Sequence, residues 1–395
     1  MSDPLVTVIV LLYNDMPHGH RAIQSVLSQS FRDLKIKIMD NGSTDNTWSE
    51  IQDYAKDPRV TLIKNGKNQR SEFTAYEALQ TNTEYLSFLF GDDYYLPRRI
   101  EEGLQAFRGR PDLDAAFSNV EAVDEHDTII QGVRHAVYEG DISSMSRHEH
   151  LRYLFFRGNS LHPCSMLIKT KKYCDLGGFK PYFHHFGDMI FFARLLAQGN
   201  ILFLKDKMQR ITVWSNGRNE SARNIGDPLP VVYERTAFLD EYLSPKMMDQ
   251  IVDIFTGKSE RPIVLGEEWE RLWYLGHQAL NTAMPDYNFF AFRCLYKAAE
   301  IANEEFHQRV AKVTGKSMPQ YLESLAESVS LGNNRPQLHS DFEQMKLRLN
   351  ALEQRRFKNV LKRIIKKIPF SAPTYRFLKR RFQRTSKIML YGAVH

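Results

Sequence analysis

Four apolar runs of strand length alternate with segments of helical period over the first ninety residues. Residues 5–12, Leu-Val-Thr-Val-Ile-Val-Leu-Leu, are continuous and rich in β-branched side chains, the pattern of a strand buried on both faces. Residues 34–40, 59–63 and 85–90 read as three more strands. Between them, residues 18–30 carry Ala22, Ile23, Val26 and Leu27 at helical spacing, and residues 45–56 and 71–80 read as helices. Strands separated by helix-length segments pair in parallel, so the pattern predicts an α/β fold with a doubly wound, mostly parallel sheet.

Such sheets bind ligands outside the carboxyl ends of their strands. Tyr13 and Asn14 follow the first strand, Asp40 ends the second, and Asp92 and Asp93 follow the fourth after Gly91. Three points far apart in sequence are thereby predicted to share one edge, which argues for a nucleotide site. Adjacent carboxylates repel unless a cation sits with them, and a hard divalent ion held with substrate phosphates satisfies both. Gly-Asp is also ordinary turn chemistry, so the pair gains its meaning from the strand ends around it.

The blocks Val6-Thr-Val-Ile-Val…Tyr13-Asn14, Ser25-Val-Leu-Ser-Gln-Ser-Phe31, Asp40-Asn-Gly-Ser-Thr-Asp45 and Gly91-Asp-Asp93…Pro97 resemble, in order and spacing, the family-two glycosyltransferases of the GT-A fold. The resemblance continues through Gly177-Gly178-Phe179 and Asp188, roughly the first 220 residues. It implies a nucleotide-sugar donor across the strand ends, with Tyr13 stacked on the base, Asn14 beside it and Asp40 accepting a hydrogen bond. It implies Asp92 as the ligand of a divalent ion, Mn²⁺ or Mg²⁺, with Asp93 supporting the metal or the sugar. Phe90 stands where the family often has a further Asp, Leu11-Leu12 where it often has Pro-Thr, and Thr74-Ala75-Tyr76 where it often has Ala-Arg-Asn. Arg70 is the substitute cation for the diphosphate.

The acceptor half begins with a strand at residues 115–119. Further on, Asp188 opens the apolar run Met-Ile-Phe-Phe-Ala-Arg194-Leu-Leu. By resemblance it is the base that takes the acceptor hydroxyl's proton; read alone, it is an ordinary acidic residue at a helix N-terminus. His162, His184 and His185 lack a helical metal-ligand spacing and read as acceptor contacts or packing. Residues 214–221 sit where related enzymes carry a polar loop over the donor, and a plain surface loop fits as well.

Gly226-Asp-Pro-Leu-Pro230 marks a boundary. The predicted organisation is a catalytic domain over 1–225 (donor half about 1–97, acceptor half about 98–225), a helical appendage over 226–340 and a basic tail over 341–395. Charge separates the tail from the rest. Of the formal net +6, residues 346–387 contribute +14, leaving an acidic body of −8. Residues 355–368 place Phe357, Val360, Leu361, Ile364, Ile365 and Ile368 on one helical face and Lys and Arg on the other, and basic aromatic sequence continues to about 384. That segment suits an anionic membrane surface; the alternative is docking on the acidic body or on a second subunit of a homo-oligomer. No nucleic-acid module is visible.

Three sparse cysteines, the lack of a basic, cleavable leader and the lack of an apolar span of about 18 residues point to a cytoplasmic protein, peripheral on the inner membrane face if the tail binds lipid. The expected activity is metal-dependent, inverting transfer of a sugar to a glycan or lipid-linked hydroxyl, in surface polysaccharide synthesis. A nucleotidyltransferase on a related fold would show a Gly-rich, basic loop after strand one, where this chain has Leu-Leu-Tyr-Asn-Asp. A degenerate glycan-binding or scaffold module would differ by having no donor hydrolysis.

Overall fold

A computed structural model describes residues 5–69, 71–133, 137–183, 185–215, 228–256, 265–282 and 284–330. Arg70, His184, residues 216–227, which include Gly226 and Asp227 of the predicted boundary, and the whole basic tail lie outside the described residues, whereas Pro228 to Pro230 open a helix.

The apolar runs form the strands β1 (Val6–Leu12), β2 (Leu34–Asp40), β3 (Val60–Lys64) and β4 (Tyr85–Phe90). Four more follow: β5 (Tyr94–Tyr95), β6 (Ala115–Val123), β7 (Met166–Lys169) and β8 (Ile201–Thr212). All join one mixed sheet in the order β3-β2-β1-β4-β7-β6-β8-β5. Its left half is parallel, as the alternation predicts, and β7 runs antiparallel to both β4 and β6. A helical region follows the sheet.

Register turns the topology into a site. Leu12 lies opposite Asp40 on β2, and Leu11 lies opposite Phe90 on β4, so the three strands end at one level. The antiparallel β4–β7 pairing brings the residues that precede β7 to the same level. Pairing of Tyr94 with Arg210 does the same for the end of β8.

One predicted helix is shorter and tighter than its pattern suggests. Residues 45–56 form an α-helical turn at Thr47–Glu50 and then a 3₁₀ turn at Gln52–Lys56. The start is delayed because Asp45 Oδ1 accepts the Thr47 N–H at 2.9 Å, a local turn bond that competes with the helix. The helix His18–Leu27 likewise stops three residues short of its pattern. Residues 120–160, unordered by periodicity, contain the helix Arg147–Arg157. Its start is a reciprocal capping box of Ser146 and Glu149, a Ser-x-x-Glu signature that the sequence does display.

Beneath the acceptor edge, Phe88, Tyr173, Phe179 and Phe191 form an aromatic cluster with ring centroids 4.9–5.5 Å apart. Each such buried side chain contributes about 1.5–3 kcal/mol. The turn that delivers Phe179 needs two consecutive left-handed residues, Gly177 at φ 80° and Gly178 at φ 58°. A Cβ on Gly178 would also meet the Tyr173 ring at 2.7 Å.

The chain divides into two compact units, Met1–Ala298 and Ala299–His395. The first contains the sheet and the helices Pro228–Asp240 and Glu268–Leu280. The described part of the second includes the helices Glu304–Thr314 and Met318–Ser330. Among the described residues no helix is long and apolar enough to cross a membrane.

Candidate active site

A cavity of about 800 Å³ opens at the strand ends. It is lined on one side by Tyr13, Asp15, Asn41 and Thr74, at its head by Asp92 and Asp93, and on the other side by Asn159, Phe183 and Asp188. Tyr13, Asp92, Asp93 and Asp188 thus share one space. Asn14 and Asp40 are not among the lining residues, and Arg70 lies outside the described residues.

The donor edge is built by short polar bonds between loops. Asn14 sits at φ 52°, in the left-handed region, and its Oδ1 accepts the Thr44 N–H at 2.8 Å while its own N–H donates to Ser43 Oγ at 3.0 Å. Asn14 therefore ties the loop after β1 to the loop after β2. Asp40 is fully buried. Its Oδ1 accepts the Ser43 N–H at 2.9 Å, and its Oδ2 has no hydrogen-bond partner among the described residues. A buried carboxylate oxygen without a partner costs about 1–3 kcal/mol or more.

Gly91 has a steric reason: a Cβ there would stand 2.3 Å from Asp15 Oδ2. Asp15, which the sequence reading passed over, accepts the Tyr13 N–H through that same oxygen at 2.9 Å. Asp92 is half-buried, and its Oδ2 accepts the Trp214 indole N–H at 3.0 Å. Its backbone carbonyl is held by Arg21 at 3.2 Å and by the Thr212 hydroxyl. Asp93 is buried; its Oδ1 accepts the Thr212 N–H at 3.0 Å and its Oδ2 the Cys164 S–H at 3.4 Å. Burial, then the neighbouring charge of Asp92, push the Asp93 carboxyl well above the usual range, and Asp15 adds to the effect.

That electrostatic load is the test of whether a divalent ion fits. Asp15 and Asp92 place like charge around a carboxyl that resists ionisation, and Asp92 Oδ1 accepts no hydrogen bond among the described residues. Oxygen donors of this kind suit Mg²⁺ or Mn²⁺. The residues fit.

Asp188 is the second residue of the helix Gly187–Gln198. Its Oδ1 accepts the Met189 N–H at 2.8 Å and its Oδ2 accepts from Asn159 Nδ2 at 3.1 Å, so both oxygens are oriented. Burial raises its pKa from 3.8 to about 6, outweighing those two bonds. A carboxylate with that value is ionised at neutral pH yet basic enough to accept a proton.

The loop that precedes it is fixed from outside the sheet. Glu234 Oε2, on the helix Pro228–Asp240, accepts the N–H groups of His185 at 2.8 Å and Phe186 at 3.1 Å. It thereby satisfies backbone donors at the start of the Asp188 helix. Arg194, six residues on, makes a paired contact with Glu241 at 2.9 and 2.5 Å. The helical region following the sheet thus supports the helix that carries Asp188. Replacing Glu234 by Ala leaves those N–H groups without this acceptor. The expected loss is about 1–3 kcal/mol of stability with a lower kcat at unchanged donor affinity, read by denaturant melts and steady-state kinetics.

His162 is half-buried in the wall of the cavity, where burial lowers its pKa to about 4. His185 also lines the cavity. Sequence reading missed Asn159, Glu234, Thr212 and Asp15. The first three come into play only through long-range packing, whereas Asp15 directly follows Tyr13-Asn14 at a strand end.

Comparison with known proteins adds likenesses of sequence and of fold. A glycosyl transferase family 2 model matches residues 7–176. An uncharacterised glycosyltransferase of Methanocaldococcus jannaschii is 29% identical over 176 residues, 43% of this chain and 58% of that protein. A UDP-Glc:alpha-D-GlcNAc-diphosphoundecaprenol beta-1,3-glucosyltransferase of Escherichia coli, WfaP, is 32% identical over 130 residues, 33% of this chain and 50% of that protein. The chain therefore spans about half the length of these curated relatives. Among solved structures, S. aureus TarS 1–349 in complex with UDP-GlcNAc superposes with a TM-score of 0.52 at 14% identity, covering 84% of this chain and 93% of that one. This likeness shows a shared fold.

Proposed function

We propose that this chain, which carries a glycosyltransferase family 2 domain in residues 7–176, moves a sugar from a nucleotide-sugar to an acceptor hydroxyl by a single, inverting displacement. The observation that supports this most is the shared cavity, in which the Asp92–Asp93 pair and the oriented base Asp188 face one space.

Tyr13, which lines the cavity, packs against the base of the donor, and Asp40, buried behind the lining, would accept a base N–H through its unpaired Oδ2 once the loops around it admit the base. Asp92, with Asp15 or Asp93 beside it, would hold Mn²⁺ or Mg²⁺, whose chemistry is to neutralise charge on a departing diphosphate. Asp188 takes the acceptor proton as the acceptor oxygen bonds to the anomeric carbon and the diphosphate leaves with the electron pair of the broken bond. Asn159 keeps the carboxylate aimed. Attack from the side opposite the leaving group inverts the anomeric centre. The acceptor we infer is a glycan on a lipid carrier, as in the name of the Escherichia coli relative, and the setting is surface polysaccharide assembly.

A thermal-shift screen of nucleotide-sugars with Mn²⁺ or Mg²⁺ tests the reading. A true donor at a hundredfold excess over Kd stabilises by about 2.7 kcal/mol. No shift with any nucleotide-sugar would sink it.

The basic tail, outside the described residues, is the feature behind a peripheral membrane location. Deleting the chain from Gln354 onward is expected to release it from anionic vesicles while donor hydrolysis persists. Each Lys or Arg near such a surface is worth about 1 kcal/mol, screened by salt. Equal co-sedimentation of both forms would reject this role, and a shift in light scattering would instead reveal a homo-oligomer contact.

A further inference from the structure

Beside Asp92 lies a donor set of different chemistry. One carboxylate oxygen of Asp93, one ring nitrogen of His162 and the sulfur of Cys164 all lie within 4.8 Å of one another. The antiparallel β4–β7 pairing brings them together: Asp93 follows β4, and the other two lie in the turn that enters β7. Asp93 and His162 line the cavity, and Cys164 is buried behind them.

We propose that Asp93, His162 and Cys164 form a site for a thiophilic divalent ion, Zn²⁺ being the type, whose occupancy blocks the donor site. The first support is donor chemistry. Sulfur, imidazole and a single carboxylate are a zinc set, whereas Mg²⁺ and Mn²⁺ favour oxygen donors such as Asp92. The second support is size. Zinc bonds of about 2.0–2.3 Å put the tetrahedral donors of such a trio about 3.3–3.7 Å apart, so the trio needs about 1.5 Å of closure at most. The Cys164 sulfur and Asp93 Oδ2 are already 3.4 Å apart. The third is access: three protein ligands leave a fourth position, and two of the three side chains face the cavity.

The step balances simply. The Cys164 thiol, and the Asp93 carboxyl where it is protonated, give their protons to solvent, a zinc–sulfur bond replaces the S–H···Oδ2 hydrogen bond, and no electron is transferred. Asp93 Oδ1 keeps the Thr212 N–H. His162 Nδ1 now accepts the Cys164 backbone N–H at 3.3 Å, and ligation through either ring nitrogen gives up that one long bond. An ion on Asp93 would stand next to Asp92 and repel a second dication there. Zinc and a Mn²⁺–nucleoside diphosphate are therefore expected to exclude each other. The blocking role rests on the proposed transferase reading; the binding of the ion does not.

The test uses the full chain without nucleotide, with Co²⁺ as the spectroscopic probe and Zn²⁺ in calorimetry. The expected result is a near-ultraviolet thiolate-to-cobalt charge-transfer band. Cys164→Ser should abolish it and weaken Zn²⁺ binding at least tenfold, while Cys174→Ser retains both. Because Cys164 is buried, His162→Asn serves as a second variant, also expected at least tenfold weaker. Absence of the band in the wild type, or unchanged Zn²⁺ affinity in either site variant, would overturn the site. In a second arm, Zn²⁺ should raise the Kd of Mn²⁺–UDP at least tenfold in the wild type. A bound zinc that leaves that Kd unmoved would overturn the blocking role. Failure of every nucleoside diphosphate to bind would count against the transferase reading, and the cobalt spectrum would still judge the site.

Discussion

Asp188→Asn is expected to bind donor normally and to lose transfer by about 10²–10⁴-fold, the usual cost of removing a general base. Asn keeps the size of the side chain and can still bond Asn159, so donor affinity and fold are expected to survive. The pH profile sharpens the assignment. With a pKa of about 6, the wild-type kcat/KM should fall below that pH as Asp188 takes up a proton, and residual activity of the variant should lack this limb. Stability should move the other way. Because the folded-state pKa lies above the ordinary 3.8, the protonated acid is the form the fold prefers. Its contribution is full below 3.8 and is lost as the pH rises through about 6. Asp188→Asn should therefore melt higher than wild type at pH 8, and the gap should close toward pH 4. A variant with near wild-type transfer, or one less stable at pH 8, would remove Asp188 from the role.

Asp92→Asn is the second large effect. Its carboxylate supplies Oδ1, which has no protein hydrogen-bond partner among the described residues, while Trp214 holds Oδ2. Neutralising it should cost at least a hundredfold in the affinity for Mn²⁺–nucleoside diphosphate, with little change in affinity for the free nucleotide in chelator. The melting temperature should hold or rise, because the change also relieves the charge that crowds Asp93. Calorimetry giving the same metal-dependent affinity in variant and wild type would show that the metal, if it binds, binds elsewhere.

The strands that carry the donor edge were readable because burial on both faces leaves a continuous apolar signature. Residues 34–40 and 85–90 match β2 and β4 end to end. Once parallel pairing is assumed, the meeting of Tyr13 and Asp92 at one edge follows from the strand ends alone. Asp188 was legible as the acidic opening of an apolar helix. What the sequence hides is whatever depends on antiparallel or inter-element packing. His162 and Cys164 reach Asp93 only because β7 reverses beside β4. Glu234 looks like a routine helix residue, yet it caps the loop before Asp188. The pattern over Gln52–Lys56 reads as helix because apolar periodicity over one turn does not separate a 3₁₀ turn from an α-helical one, and it does not register the side-chain bond at Asp45 that delays the start.

In the proposed reaction one cavity couples a metal-held diphosphate at Asp92 to proton removal at Asp188. Proton NMR of the sugar product, formed from an α-linked nucleotide-sugar that passes the binding screen, tests it most directly. The expected product carries a β-configured anomeric centre in the newly formed linkage, appears only with Mn²⁺ or Mg²⁺ and is absent with Asp188→Asn. A product that retains the α configuration, or one that forms at full rate in chelator, would contradict it.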